Sequence, residues 1–369
     1  MPHIPSAFLV AHYRGMELPL RRLSDVLEDA GWYVGWYWSD NPDGHTDDPA
    51  FVRAIQGSTH YDFIVTANRG VVDFIPDRES RLVLVNHGPV PSKNHRPVSC
   101  VNTIVCTPYA GRLYRGLGQS ARHWVEAGYV EFDTVRRPAL GGKTLRVVYA
   151  PTFHHSFCGD VSIQLHIMQE LSKLDGQPVP ESPDVVYAVY YCPHPITLHS
   201  HPVWEFAEKH LQNSPECGMV NHIVNSGPDD IPTPIVVTDY SAAIPLAMPW
   251  AKVVTYNSFT WWDDPRIFSG EDRSWEMHDA CYQFSNPAEL LSIVHRVSGS
   301  DPLAERRAEW TGIIYGHTLH ASVAEKVRAS LETQLLTLMG ANRDLSSLQQ
   351  RSSLGPLSIP HDDRYTRLT

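Results

Sequence analysis

No stretch of the 369 residues holds the roughly eighteen consecutive apolar side chains that a membrane-spanning helix needs. The start, Met1-Pro2-His3-Ile4-Pro5, shows neither a basic segment nor a small-residue cleavage site before the strand-like Ala7-Phe8-Leu9-Val10, so no secretory signal peptide is expected. Cysteine is sparse and scattered. Cys100, Cys106, Cys158, Cys192, Cys217 and Cys281 form no Cys-x-x-Cys pair, which points to reduced thiols in a cytoplasmic protein rather than to a disulfide or zinc framework. Peripheral attachment to a membrane stays open as an alternative. Basic charge is short as well: 30 Lys and Arg against 41 Asp and Glu leave a net charge of −11, and broad capture of a nucleic acid would need a basic face. No internal repeat stands out.

What is present is globular composition, 42% hydrophobic and 19% charged, in a chain long enough for two domains at about 100–200 residues each. Strand-like and helix-like patterns alternate. Residues 6–12 read as a strand, 18–30 as an amphipathic helix with Leu20, Leu23, Val26 and Leu27 on one side, and 32–38 as a second strand. Asn41-Pro42-Asp43-Gly44 is a turn, followed by a helix near 51–56, strands at 61–67, 81–86 and 102–107, and a short helix at 110–117. The segment 134–144, with Pro138 and Gly141-Gly142, lacks periodicity and is the best linker candidate.

After that segment the alternation restarts. Strands are expected at 145–150, 185–192, 219–224 (weak), 234–238 and 252–256, and helices at 162–174, 203–211, 287–297 and 304–338. The implied class is α/β, with two Rossmann-like lobes, a cleft between their carboxyl edges, and the last helices packing back across both. The lobes are drawn at 1–138 and 139–338, with 339–369 as a mobile tail because apolar periodicity vanishes there.

The most informative stretch is Ile235-Val236-Val237-Thr238-Asp239-Tyr240-Ser241-Ala242-Ala243, an apolar strand that meets a polar corner and then a helix start. The first amides of a helix have no intrahelical partners and sit at the positive end of the macrodipole, so Ser241 with the amides of Ala242 and Ala243 can hold a phosphate. An ordinary N-cap is the competing reading.

Leu82-Val83-Leu84-Val85-Asn86-His87-Gly88 places an imidazole at the end of a buried strand, beside a glycine that permits close approach of a ligand. His87 is therefore a candidate general base, or else a histidine that ties down a turn. Ala150-Pro151-Thr152-Phe153-His154-His155-Ser156 repeats the layout at the first strand of the second half, where Thr152 and Ser156 can donate to phosphate or cap a helix. His154 and His155 lack metal-ligand spacing and a carboxylate in register, so no metal site is expected. His194 is clamped between Pro193 and Pro195 and either faces a phosphate or is a surface histidine. Arg69, Lys93 and Arg96 on first-half loops are candidates for an anionic acceptor, against the alternative that they are merely solvated.

Taken in order, His87-Gly88, Trp124-Val125-Glu126-Ala127-Gly128-Tyr129-Val130-Glu131-Phe132-Asp133, Tyr149-Ala150-Pro151-Thr152, Pro193-His194-Pro195, Thr238-Asp239-Tyr240-Ser241 and Tyr315-Gly316 with Ala321-Ser322 resemble the motifs of the CDP-glycerol glycerophosphotransferase family, which includes teichoic acid and capsule polymerases. The resemblance spans residues 80–335. It implies a GT-B fold with the acceptor lobe first and the nucleotide lobe second, and transfer of an alditol phosphate from a CDP-activated donor to a hydroxyl, possible on a polymer, with release of CMP. It further implies His87 as the base, with His194 also in the catalytic set. Thr152, His194, Ser241 and Ala242 would hold the donor phosphates, Pro151, Asp239 and Tyr240 the nucleotide, and no cofactor beyond the nucleotide-linked donor is called for.

The chain departs from the family at Ala242 and Ile244-Pro245-Leu246, where a second Ser and an aromatic-acidic pair are usual. It departs again at Asn86, where Trp is frequent, and at Val130-Glu131, where Pro-Arg is usual. Two alternatives remain: a GT-B glycosyltransferase moving a sugar from a nucleoside-diphosphate sugar to a polymer, a small molecule or a modified nucleic-acid base, and a catalytically silent nucleotide-binding protein.

Overall fold

A computed structural model describes residues 3–12, 17–39, 48–86, 88, 100–134, 143–151, 161–193, 201–212, 232–239, 243–256, 274–319 and 322–341. Among these, two six-stranded sheets form the frame. The first runs β2-β1-β3-β4-β5-β6, with β1 at Ser6–Ala11, β2 at Tyr33–Trp38, β3 at Phe63–Thr66, β4 at Leu82–Val85, β5 at Val101–Cys106 and β6 at Ala121–Glu126. All of its pairings are parallel. The second runs β12-β11-β10-β7-β9-β8, with β7 at Thr144–Ala150, β8 at Pro178–Val179, β9 at Ser182–Tyr191, β10 at Ile235–Thr238, β11 at Lys252–Tyr256 and β12 at Tyr282–Phe284. Only the β8–β9 pair is antiparallel.

Parallel strands buried on both faces need apolar side chains at every position, not at alternate ones. That is why Phe8-Leu9-Val10, Leu82-Val83-Leu84-Val85 and Ile235-Val236-Val237 are continuous apolar runs, and each is buried throughout. The expected strands 6–12, 32–38, 61–67, 81–86, 102–107, 145–150, 185–192, 234–238 and 252–256 all correspond to observed ones.

Other features differ from the expectation. β6 is a strand although Ala-Arg-His-Trp-Val-Glu carries little apolar signal, because it lies at a sheet edge with its side chains half exposed. β12 has only three residues, too few to show a period. The helix expected over 304–338 divides into Ala304–Tyr315 and Val323–Ala341, since Gly316 at φ +52° leaves the helical region. Residues 339–341 continue that last helix instead of opening a tail. The turn at 41–44, most of the linker (135–142), the weak strand at 219–224 and the tail from 342 onward lie outside the described residues.

Residues 1–328 form one compact unit and 329–369 a second. Within the first, one apolar cluster joins the two sheets. It takes Tyr109, Leu113 and Tyr129 from the first half and Val148, Ala150, Val236, Ile244, Trp310, Ile314 and Tyr315 from the second. The helix Ala304–Tyr315 lies on the helix Pro108–Gly116, where Arg112 Nη2 donates to the Ile313 carbonyl at 3.2 Å.

Two stretches singled out in the sequence, 124–133 and 315–322, meet here. Gly128 has φ +114°, and a Cβ on it would stand 3.0 Å from the Thr318 carbonyl oxygen, so glycine is required both by conformation and by contact. Phe132 packs on Tyr315 at 5.4 Å between ring centroids. The Asp133 carboxylate accepts from Val323 N at 2.9 Å, Ala324 N at 2.6 Å and Ser322 Oγ at 3.2 Å. It caps the start of the last helix across 190 residues of sequence, matching its negative charge to unpaired amides. Asp133→Ala is expected to cost about 1–2 kcal/mol, as loss of a helix cap does. Denaturant unfolding checks this; an unchanged midpoint would show that the cap is energetically idle.

Candidate functional site

In an open parallel sheet, ligands bind beyond the carboxyl ends of the strands, where the order of connection reverses. In the second sheet that point lies between β7 and β10. Their ends are pinned together: Thr238 Oγ1 donates to the Ala150 carbonyl at 2.6 Å, in a buried position. β9 is aligned beside them by Cys192 N donating to Tyr149 O at 2.8 Å. Pro151 and Asp239, the first residues of the two loops that leave this edge, are both buried. The remaining donor-side candidates, Thr152, His194, Tyr240, Ser241 and Ala242, lie outside the described residues.

The helix that follows the Thr-Asp-Tyr-Ser corner begins at Ala243, as the sequence predicts, but ends at Ala247. Five residues align too few peptide dipoles for the macrodipole argument made from the sequence. Pro245 sits inside this short helix, and its carbonyl accepts from Tyr315 Oη at 2.8 Å, so the segment is anchored as core.

In the first sheet the reversal lies between β1 and β3. Past the end of β3, Asn68 accepts from Gly70 N at 2.8 Å and directs Arg69 inward. The Arg69 guanidinium lies 4.0 Å from the centre of the Tyr114 ring, and its Nη1 donates to Gln119 Oε1 at 3.4 Å. Its Nη2 is buried and has no hydrogen-bond partner among the described residues. Burial lowers the arginine pKa, and the groups that oppose this are Tyr114 and Cys106, not a carboxylate. A desolvated guanidinium with an unused donor favours an anion.

Beside it, at the end of β4, Tyr114 Oη donates to Asn86 Oδ1 at 2.6 Å, and the Asn86 amide in turn donates to the Gly88 carbonyl. Gly88 has φ +120°, which a side chain would oppose. His87 itself, with Lys93 and Arg96, lies outside the described residues. Of the sequence candidates, the structure thus places Arg69, Pro151 and Asp239. Tyr114, Gln119 and the Thr238 tie went unseen in the sequence, since a tyrosine at the end of a short amphipathic helix reads as core. Among the described residues no group of three His, Cys, Asp or Glu side chains is arranged to hold a metal ion. Among them, too, no helix is long and apolar enough to cross a membrane.

No family model and no curated protein matches the chain. Solved structures do. A form of the wall teichoic acid polymerase TagF soaked with CDPG superposes with a TM-score of 0.62 at 11% identity, covering 91% of this chain and 89% of that one. Another TagF structure gives 0.59 at 11% identity, covering 91% and 90%. A protein named as UDP-N-acetylglucosamine 2-epimerase from Listeria monocytogenes gives 0.55 at 10% identity, covering 90% and 97%. The fold is therefore GT-B, and the resemblance carried by six short motifs returns as a likeness of whole architecture.

Proposed function

We propose that the chain is a transferase that moves an alditol phosphate, of the glycerol phosphate kind, from a CDP-activated donor to an acceptor hydroxyl. The observation that carries this reading is the complementarity of the two sheet edges. One presents Arg69, a desolvated guanidinium whose Nη2 has no hydrogen-bond partner among the described residues, and the other a pair of strand ends tied together by Thr238 and Ala150. The likeness to TagF in a structure named for CDPG supports the choice of donor.

In this scheme the lobe of residues 1–138 takes the acceptor and that of 139–338 the donor. The acceptor oxygen attacks the phosphorus that bears the alditol. A new O–P bond forms, the P–O bond to the CMP phosphate breaks, and CMP leaves with its electron pair. His87 receives the hydroxyl proton. Thr152, His194, Ser241 and Ala242 hold the donor phosphates, Pro151, Asp239 and Tyr240 line the nucleotide, and Arg69, Lys93 and Arg96 bind an anionic part of the acceptor. No cofactor takes part, and the reaction runs in the cytoplasm.

A second reading, transfer of a sugar from a nucleoside-diphosphate sugar, draws on the likeness to the epimerase, whose name includes a UDP-sugar. Here the anomeric carbon is attacked and a nucleoside diphosphate leaves. Ser241→Ala bears on the donor half of the proposal. Loss of a hydrogen bond to a charged phosphate, about 1–3 kcal/mol, should raise the donor Kd by roughly five- to a hundredfold and leave the acceptor KM unchanged. Titration of the variant with CDP-glycerol tests this, and equal losses for donor and acceptor would contradict it.

A further inference from the structure

Among the described residues, the groups around the Arg69 guanidinium are all neutral. Tyr114 sets its ring 4.0 Å from it and donates its hydroxyl to Asn86 Oδ1 at 2.6 Å, and burial raises the phenol's pKa, so it stays protonated. Burial likewise pushes the Cys106 thiol up to about 12. Gln119, itself buried, offers its amide oxygen to Arg69 Nη1 at 3.4 Å. The carboxylate that acts on the same thiol, Glu126, is engaged by another cation: its Oε1 accepts from Arg115 Nη1 at 2.7 Å, and Arg115 lies over Trp124 at 4.4 Å.

Other buried arginines of this chain are treated differently. Arg307 is paired with the Asp301 carboxylate, and Arg81 donates to the carbonyls of Ser58 and Tyr61. Those arrangements compensate the cation, as burial of a charge ordinarily requires. Arg69 has an amide oxygen and an aromatic face, and its charge is not cancelled. The residue is partly exposed, which leaves that charge within reach of a ligand at the sheet edge.

The position of Gln119 follows from the end of the helix Pro108–Gly116. Gly118, at φ +78°, donates its N–H to Arg115 O at 3.0 Å, and Gln119 N donates back to Tyr114 O at 2.8 Å, the two bonds of a Schellman turn. The turn thus brings residue 119 next to the tyrosine that faces Arg69. A glutamate there would have the same reach and would neutralise the guanidinium.

We infer that Gln119 is a specificity-determining residue of the Arg69 site: its neutral amide holds the guanidinium without cancelling it, and so reserves the positive charge for a phosphate monoester carried by the acceptor. This rests on the reading of Arg69 as an acceptor-binding residue given above, and adds which acceptors the site favours and what sets that choice.

The test is calorimetric titration of glycerol 3-phosphate, the probe for an acceptor-borne phosphate, into wild type, Arg69→Met, Gln119→Glu and Gln119→Met. No donor is present, so the result does not depend on which group is transferred. The binding lost in Arg69→Met is the share that belongs to this site. Gln119→Glu should weaken that share by roughly ten- to a hundredfold, the worth of a hydrogen bond to a charged group, while the neutral Gln119→Met should weaken it by less than about threefold. The glutamate variant should unfold at the same temperature as wild type or a higher one, since Arg69 gains a partner. Wild-type affinity in Gln119→Glu, or a loss in Gln119→Met as large as in Gln119→Glu, overturns the inference while Arg69 keeps its place in the acceptor site. Wild-type affinity in Arg69→Met removes Arg69 from that site, and the inference falls with it.

Discussion

His87→Ala should lower kcat by ~10²–10⁴, the usual worth of general-base assistance, with donor affinity intact. The imidazole must be neutral to accept the hydroxyl proton, so the wild-type rate should fall toward acid pH as the base is protonated. The variant has no such group, and the acidic limb should vanish with it. Steady-state rates between pH 5 and 8 separate this from a structural role. A variant that keeps both its rate and its acidic limb would reduce His87 to a turn residue between Asn86 and Gly88.

The second large effect is expected at Arg69. Arg69→Met preserves an unbranched stem over the Tyr114 ring and removes the charge whose Nη2 has no hydrogen-bond partner among the described residues. If that guanidinium serves an anionic acceptor, loss of a charge-assisted hydrogen bond at about 1.5–3 kcal/mol should reduce kcat/KM for a phosphate-bearing acceptor by roughly ten- to a hundredfold. A neutral acceptor such as glycerol should be affected little. Stability should move the other way. Among the described residues no carboxylate compensates this desolvated cation, so the methionine variant should unfold at the same temperature or a higher one. A destabilised variant with unchanged discrimination between acceptors would mark Arg69 as a structural cation.

The strands were legible in the sequence wherever a parallel sheet buries both faces, because Leu82-Val83-Leu84-Val85 or Ile235-Val236-Val237 leaves no other economical reading. β6 was not, since an edge strand such as Ala121–Glu126 carries half-exposed polar side chains and so loses the apolar signal. The break in the long C-terminal helix turned on one glycine, Gly316, whose positive φ no periodicity reports. Among the candidate residues, Arg69, Pro151 and Asp239 stand just past strand ends, a position visible in one dimension because each follows closely on an apolar run. The supports were hidden. Thr238 reaches Ala150 across 88 residues, and Asp133 reaches Ala324 across 191, and a contact over such separations leaves no mark in local pattern. The same holds for Tyr114 and Asn86, which are joined only by the fold.

The central claim is that a phosphorus atom, not an anomeric carbon, is the centre attacked. Analysis of the nucleotide released from CDP-glycerol and, in parallel, from UDP-sugars in the presence of a hydroxyl acceptor tests it most directly. The account predicts CMP from the CDP-linked donor, with the glycerol phosphate recovered on the acceptor and release slowed by ~10²–10⁴ in His87→Ala. Release of a nucleoside diphosphate from a sugar donor, with no CMP formed from CDP-glycerol, would contradict it.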